Sequence, residues 1–387
     1  MRVTFCYAGK IGGLGQGYIT YHTAKAAIQA NSLYQLIACD FPCDLARQAK
    51  EAVRIKRPDE FLLMRGTVSR LLRKFGLTYF LSNGIFDLKA KKIIKECDVF
   101  HAFASQSLNS MIRAKELGAK IIADNPNSHP LTLHKLMTEE YKVWGVPYSP
   151  DNPITIKRRL KALEIADRAV ILSNFAYKSF LENGFERDRL RIAPYGVDTE
   201  LFKPREKKDN VFRALFVGQI SLRKGFQYLL EAWSILQLKN AELILAGSMA
   251  KDAEYALSKY KGRINFKLTG PLPDMKSIAA CYNQASVAVF PSIEDGFGMV
   301  VSEAMASGLP VVVSENTGAK DLVENGVEGF IVPIRSPEAI RDAILRLYEN
   351  ENKRKQMGQK ARLKSENRTW ESYQNKLMAV YKELEGK

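Results

Sequence analysis

Short runs of apolar residues alternate along most of the chain with longer segments in which apolar residues recur every three or four positions. The short runs predict buried strands and the longer segments predict helices. This alternation is typical of parallel sheets covered by helices on both faces. The predicted strands are Val3–Tyr7, Leu36–Ala38, Val99–Ala102, Lys120–Ala123, Ala169–Leu172, Ala214–Val217, Leu243–Ala246, Ile264–Leu268, Val287–Phe290 and Val311–Ser314.

A polar segment that contains a proline, residues 202–210, divides these strands into two sets. It predicts two doubly wound, Rossmann-like α/β domains, residues 1–203 and residues 204–369. A last segment, about residues 370–387, has apolar residues at helical spacing, and we expect this helix to return to the first domain. Ligands of open parallel sheets bind beyond the carboxyl ends of the strands. We therefore expect the two domains to face each other across a cleft.

Composition narrows the classes of partner. The chain has 387 residues, 46% of them hydrophobic, and a formal net charge of +16, of which residues 1–203 carry +11. Such a basic half favours a nucleotide, a nucleic acid or an anionic membrane surface, although a solvated basic face without a partner stays open. Five cysteines without a C-x-x-C pair argue against a disulfide framework or a zinc site. No apolar run approaches the ~20 residues of a membrane helix, and the N-terminus has the pattern of a strand, so a cytoplasmic location is expected.

A glycine-rich turn, residues 9–17, follows the first predicted strand and precedes a helix. Gly12 and Gly13 in this turn let the backbone approach a diphosphate while helix N-terminal amides point at it. A tight strand-to-helix turn also needs glycine without any ligand, so this signal is weak alone.

Two adjacent cations, Arg223 and Lys224, follow the first strand of the second set. Side chains of this kind at the entrance to a helix can neutralise a diphosphate. An exposed basic turn is the alternative, and it is the favoured interpretation when the segment is taken alone.

The strongest signal is the segment from Phe290 to Val313, in which two carboxylates, Asp295 and Glu303, flank a Gly-Phe-Gly turn. A helix beginning near Gly298 would point its free amides into the cleft. Glu303, one turn inside, can accept from two vicinal hydroxyls of a ribose, and Asp295 can accept from sugar hydroxyls. The alternative is a turn residue and a surface helix residue.

This segment resembles the E-x7-E motif of the retaining glycosyltransferases of family four (glycosyl transferases group 1), which have the GT-B fold. Further stretches similar to the family's landmarks begin at Val170, Ile192, Arg223, Leu245 and Thr317, and they occur in the family's order. The resemblance is strong from about residue 165 to residue 335 and weaker before that. It implies transfer of a sugar from a nucleotide-sugar donor to an acceptor hydroxyl, with retention of the anomeric configuration.

The resemblance also implies roles for individual residues on the donor side. Glu303 would bind the ribose, and Asp295 the donor sugar, although the family has glutamate there and aspartate reaches about 1.5 Å less far. Lys224 would bind the diphosphate. Gln219 stands where the family usually has an arginine, and Arg223 would supply the missing charge.

Other parts of the donor site follow from the same resemblance. The Gly12–Gly13 turn would close on the phosphates from the first domain. The backbone amides of the second-domain turn would complete the site, and they belong to Phe297, Gly298, Met299 and Val300. Among four histidines, His129 is the candidate beside the anomeric carbon, with His101 second, although a lone histidine is usually structural.

Catalysis would rest on binding the departing diphosphate more tightly in the transition state than in the ground state. Because side chains can neutralise that diphosphate and no Asp-x-Asp motif occurs, we expect neither a metal ion nor a resident cofactor. An enzyme nucleophile does not stand out. The leaving phosphate would deprotonate the acceptor hydroxyl on the same sugar face, by a route that is contested for the family.

The acceptor is expected to be a glycan or a lipid-linked glycan, as in polysaccharide biosynthesis. Residues 67–81 carry an apolar stripe beside basic residues, which predicts a helix that lies on an anionic membrane or, as the slightly favoured alternative, packs in the core. Three other functions stay open: an epimerase or phosphorylase on the same fold, a catalytically inactive sugar-nucleotide-binding subunit, and, ranked low, a nucleic-acid-binding module.

Overall fold

A computed structural model describes residues 1–56, 77–147, 149, 151–260 and 262–385, and of residues 77–80 it describes the backbone alone. Most of the amphipathic helix predicted over residues 67–81 lies outside this part of the chain. Within it, every helix is too short or too polar to cross a membrane.

In the part of the chain that the structure describes, the first sheet contains seven parallel strands in the order β3-β2-β1-β4-β5-β6-β7. They are β1 (Val3–Lys10), β2 (Leu33–Asp40), β3 (Glu51–Arg54), β4 (Val99–Phe103), β5 (Lys120–Asp124), β6 (Arg168–Ile171) and β7 (Leu190–Ile192). The helices between them are α1 (Gln16–Gln29), α2 (Cys43–Gln48), α3 (Leu77–Ile93), α4 (Leu108–Glu116), α5 (Pro130–Val143), α6 (Pro153–Ile165) and α7 (Asn174–Glu182).

The second sheet contains six parallel strands in the order β10-β9-β8-β11-β12-β13. They are β8 (Phe212–Val217), β9 (Ala241–Ala246), β10 (Lys267–Gly270), β11 (Val287–Phe290), β12 (Val311–Ser314) and β13 (Gly329–Val332). The helices are α8 (Phe226–Ile235), α9 (Ala253–Tyr260), α10 (Met275–Asn283), α11 (Met299–Ala306), α12 (Pro337–Glu349), α13 (Glu351–Glu366) and α14 (Trp370–Lys382). Strand order in both sheets is that of doubly wound dinucleotide-binding folds, which confirms the predicted pair of Rossmann-like α/β units.

The errors in the strand prediction fall at the sheet edges. Strands β3, β7 and β13 were not predicted, and β10 is Lys267–Gly270 rather than Ile264–Leu268. All four are edge strands. Because an edge strand has a neighbour on one side only, β3, β7 and β10 carry polar or exposed positions, and the continuous apolar run that identifies a central strand is absent from them. Strand β13 is apolar and mostly buried, and this reason does not apply to it.

Two helices cross from one sheet's surroundings to the other's. Helix α14, the last in the chain, packs on α1, where the Tyr373 hydroxyl lies 2.9 Å from Thr23 Oγ1. Helix α5 follows β5 of the first sheet, yet its Leu133 and Met137 are part of the hydrophobic core around the second sheet. The cleft between the sheets is therefore bridged by packed side chains.

Candidate active site

The basic turn after β8 is folded back onto the loop after β11. Residues Leu222–Lys224 form a short 3-10 turn that ends at Gly225, which has a φ of 71°. A Cβ atom on Gly225 would lie 1.8 Å from the carbonyl oxygen of Pro291, so only glycine allows this approach. The Arg223 carbonyl accepts from the amide of Ile293 at 2.9 Å. The two cations are thereby carried to the end of β11.

Each cation of this turn meets a carboxylate of that loop. Arg223 Nη1 donates to Glu294 Oε2 at 3.0 Å, and Lys224 Nζ donates to Asp295 Oδ2. Glu294 is fully buried, whereas the Lys224 side chain is 18% exposed. Burial would raise the pKa of Asp295, but Lys224 and Arg223 hold that pKa below its ordinary value. The two cations therefore favour the ionised form of the Asp295 carboxyl although it is mostly buried.

Asp295 also organises the turn that begins α11. Its Oδ1 accepts from the amides of Gly298, at 3.2 Å, and of Phe297, at 3.4 Å. Of the four amides that the sequence assigns to the donor, these two are engaged by Asp295 in the structure. Met299 and Val300 are the first two residues of α11, so their amides have no hydrogen-bond acceptor within this helix. Asp295 is thus a turn residue and the partner of Lys224 at once.

The loop after β5 lies directly against this turn. A Cβ atom on Gly296 would come within 2.0 Å of the Pro126 carbonyl oxygen, so the two backbones touch. The Ser128 amide donates to Glu294 Oε1 at 2.8 Å, and Ser173 Oγ donates to the Gly296 carbonyl at 2.7 Å. Glu294 therefore accepts from both sides of the cleft. These contacts fix the approach of the two sheets at the end of β11.

Glu303 is a buried carboxyl one turn inside α11. It is 6% exposed, and Tyr282, on α10, donates its hydroxyl to Glu303 Oε2 at 3.2 Å and to the Val300 carbonyl at 3.0 Å. Burial raises the pKa of Glu303 to about 8, although the Tyr282 hydrogen bond opposes the rise. The carboxyl is therefore largely protonated at neutral pH and can both donate and accept.

The glycine-rich turn connects β1 to α1. Gly12 and Gly13 have φ angles of 89° and 83°, and a Cβ atom on Gly13 would meet nothing within 4 Å. On α1, burial raises the pKa of Tyr18 to about 12, with Asp198 and Glu303 adding to the shift through their charges.

His129 caps helix α5. Its Nδ1 accepts from the Leu131 amide at 3.4 Å, and its ring is buried edge-on against Phe180. Burial lowers the pKa of His129 to about 4, so the ring is neutral at neutral pH. The second candidate, His101, is fully buried between the Tyr381 hydroxyl and Asp124, at 2.8 and 3.0 Å. A catalytic part for His129 stays a prediction.

Two cavities adjoin these residues. One, of about 380 Å³, lies between helices α5 and α6 and the loops after β8 and β9, and its walls include Gln219 and Arg223. The other, of about 180 Å³, lies at the carboxyl ends of β4 and β5 and is walled by first-domain residues, among them Gln16 and Asp124. Arg159 of α6 reaches both. In the described residues, no group of three or more His, Cys, Asp or Glu side chains could hold a metal ion.

The sequence assigned the loops after β8 and β11 to one site, but it did not predict several side chains that contact or line this site. Glu294 is not among the predicted site residues, yet it pairs with Arg223 and with the Ser128 amide. Tyr282 and Arg159 were not predicted at all. The position of Arg159 held a signal, because it lies three residues after the buried Ile156 and four before the buried Leu163, on the inward stripe of α6.

The second half of the chain is similar to known glycosyltransferases. Residues 197–364 match the sequence profile of a family described as glycosyl transferases group 1. A D-inositol 3-phosphate glycosyltransferase of Pseudarthrobacter chlorophenolicus is 28% identical over 59% of this chain and 63% of its own. The capsular polysaccharide biosynthesis glycosyltransferase CapM of Staphylococcus aureus is 32% identical over 44% of this chain and 47% of its own. The matches thus span less than two thirds of either relative.

The fold has solved counterparts over the whole chain. The crystal structure of Anabaena Alr3699/HepE in complex with UDP superposes with a TM-score of 0.70 at 15% sequence identity, covering 99% of this chain and 100% of that one. Residues 197–364 thus match the glycosyl transferases group 1 family, and the chain as a whole has the two-domain GT-B fold.

Proposed function

We propose that this protein is a glycosyltransferase that moves a sugar from a nucleotide-sugar donor to an acceptor hydroxyl and retains the anomeric configuration. One observation carries the proposal: Arg223, Lys224 and the first amides of α11 converge at the end of β11, where the two halves of the molecule touch. Cations and helix N-terminal amides in a nearly dry cleft form a site for a diphosphate.

The donor would lie along the second domain. Its ribose would bind Glu303, whose protonated carboxyl can donate to one hydroxyl while it accepts from another. Its diphosphate would displace Asp295 from part of its contact with Lys224. Family membership of residues 197–364, and a structural neighbour solved with UDP, support a nucleoside diphosphate as the common part of the donor.

The chemical step is a substitution at the anomeric carbon. The bond between that carbon and the β-phosphate oxygen breaks, and the acceptor oxygen forms a bond on the same face. Because the acceptor oxygen itself attacks the anomeric carbon, this step uses no enzyme nucleophile, and the proton of the acceptor hydroxyl passes to the departing phosphate, which acts as the base. Arg223 and Lys224 would stabilise the negative charge that grows on the diphosphate, and this needs no metal ion.

The acceptor would enter from the first domain, and a glycan or lipid-linked glycan is the proposed class. We also propose that the protein works at the cytoplasmic face of a membrane, which rests on the basic amphipathic stripe in residues 67–81. Flotation with vesicles that contain anionic lipid should show binding that fades with added salt. Absence of binding at low salt would end this part of the proposal.

A thermal-shift panel of nucleotide sugars, followed by product analysis, tests the central proposal. A specific donor should raise the melting temperature by mass action, whereas an unrelated nucleic acid should not. Incubation with that donor and an acceptor should then yield an elongated acceptor with the donor's anomeric configuration. Free sugar, sugar phosphate or an epimerised donor would instead favour the sister activities of this fold.

A second candidate, an inactive sugar-nucleotide-binding subunit, is favoured by the engagement of Asp295 in its own turn and by the uncharged Gln219. Such a subunit would bind the donor in the thermal-shift panel and transfer no sugar. Turnover by the purified protein would exclude it.

A further inference from the structure

The cavity of about 380 Å³ between α5, α6 and the loops after β8 and β9 has a polar lining of which some atoms lack a hydrogen-bond partner in the described part of the chain. Asp252 and Ser221 both line it and are at least nine-tenths buried. Within the described residues, Asp252 Oδ1 and Ser221 Oγ have no hydrogen-bond partner. Buried polar atoms without partners cost free energy unless something supplies the missing bonds. Ser221 Oγ is therefore available to a ligand in this cavity, whereas Asp252 Oδ2 already accepts from the Tyr141 hydroxyl and the Leu222 amide.

Arg159 enters the same cavity from the first domain. It is 19% exposed, and its nearest carboxylate is Asp151, whose Oδ1 lies 3.7 Å from Arg159 Nη1, beyond hydrogen-bond distance. Its Nε is buried and has no partner in the described part of the chain. A guanidinium on the inward stripe of a helix with so loose a pairing has donors left for an anion.

Across the cavity from Arg159 lie the residues of the basic turn. Gln219 and Arg223 line the same space, one on each side of Ser221 in the sequence. Asp151, which also lines this cavity, lies within reach of both arginine charges. Burial raises the pKa of Asp151, and the charges of Arg159 and Arg223 both oppose that rise. Gln219 stands where the family pattern has an arginine. The positive charge that is missing from this second-domain wall is matched by Arg159 on the first-domain wall.

We propose that Arg159 binds the diphosphate of the donor from the first domain and takes the place of the arginine that is absent at position 219. The inference rests on the proposed function and adds a residue to its site. Because Arg159 belongs to one domain and Arg223 to the other, a diphosphate held by both ties the two halves together in the bound state. The departing diphosphate is then bound by Arg159 from one wall of the cleft and by Arg223 from the other.

Arg159 also lines the smaller cavity at the ends of β4 and β5, on the side where the acceptor would enter. An anionic acceptor is thus the competing ligand for this guanidinium. The two differ in what they require, since a diphosphate binds without any acceptor present.

The test measures binding of UDP, GDP and the corresponding monophosphates to the full chain by titration calorimetry. For the diphosphate that the parent binds, Arg159→Ala should weaken binding about 10- to 100-fold and lower the preference for diphosphate over monophosphate. The matched control is Lys157→Ala, which removes an exposed charge from the same helix and should change neither. Adding Gln219→Arg to Arg159→Ala should restore most of the affinity, which a merely structural role of Arg159 would not predict.

The outcomes separate this inference from the function on which it rests. Unchanged diphosphate affinity in Arg159→Ala, together with weakened affinity in Lys224→Ala, overturns the role of Arg159 and leaves the glycosyltransferase proposal standing. A raised KM for the acceptor in Arg159→Ala, with donor affinity unchanged, assigns the guanidinium to the acceptor instead. A parent chain that binds neither UDP nor GDP, nor any nucleotide sugar, overturns both.

Discussion

Arg335 Nε donates a 2.7 Å hydrogen bond to Oε2 of Glu140, so a cation from the loop after β13 meets a fully buried carboxylate on α5. The other oxygen of Glu140 accepts from Gln227 Nε2 at 2.8 Å and from the Tyr228 hydroxyl at 2.9 Å. Helix α5 begins at Pro130, two residues after Ser128, whose amide contacts Glu294. The same helix thus joins the two halves of the molecule at both of its ends.

Replacing Glu140 should therefore destabilise the whole chain. In Glu140→Ala, Arg335 and two buried donors of α8 lose their acceptor, and the free energy of unfolding should fall by about 3 kcal/mol. Urea unfolding followed by tryptophan fluorescence measures the change. The neighbouring variant Glu139→Ala is the control, because that side chain is 46% exposed and lies 3.5 Å from Arg335 Nη1; its loss should stay below about 0.5 kcal/mol. Equal losses in the two variants would contradict the anchoring role of Glu140.

The central strands could be predicted from sequence because burial on both faces forces a continuous apolar run, as in Val287–Phe290 and Val311–Ser314. The edge strands could not, since a strand such as Lys267–Gly270, with its exposed side chains, leaves no such run. The alternation of strands and helices predicted two doubly wound parallel sheets, because it limits the fold to few topologies, but it did not predict the order of the strands.

The site could be predicted only in outline. The family resemblance assigned the loops after β8 and β11 to the same nucleotide-sugar donor, so both were expected at one site. The pairing of Arg223 with Glu294 depends on partners 71 residues apart, and the Ser128–Glu294 contact on partners 166 apart. No local pattern encodes such distances. Gly225 gives a local indication that the two loops meet, since its backbone must pass against Pro291.

Lys224 should matter for transfer more than for folding. With the donor found by thermal shift, Lys224→Ala should lower kcat/KM about 100-fold, because a charge-assisted contact to the leaving diphosphate is lost. Lys224→Arg should keep part of the activity. Steady-state assays measure both, with Lys239→Ala, an exposed lysine of the same domain, as the control. Transfer by Lys224→Ala at the parent's rate would remove this residue from the site.

Chelation should leave the reaction unchanged if side chains alone neutralise the diphosphate. Dialysis against EDTA, followed by assay in metal-free buffer, should give the same initial rate as the untreated protein. Readdition of Mg²⁺ or Mn²⁺ provides the control. A rate that collapses on chelation and returns with either ion would show that Arg223 and Lys224 are insufficient, and the chemistry would need a metal-bridged diphosphate.

Glu303 should make stability depend on pH. Burial raises its pKa from an ordinary 4.5 to about 8, so between these values the folded protein holds a proton that the unfolded chain has released. Stability therefore falls as pH rises through this window, by up to about 1.4 kcal/mol per pH unit, and Glu303→Gln lacks this contribution.

The measurement is the difference in unfolding free energy between the parent and Glu303→Gln. From about pH 5.5 to about pH 7.5 it should shift by about 2 kcal/mol in favour of the variant and then level off above pH 8. Comparing variants at each pH cancels the titration of all other groups. The control is Glu200→Gln, whose carboxylate is 83% exposed and is hydrated in both states, so its difference should stay flat. A flat difference for Glu303→Gln as well would mean that the carboxyl is ionised when buried, and the hydrogen-bond donor required for the ribose would be absent.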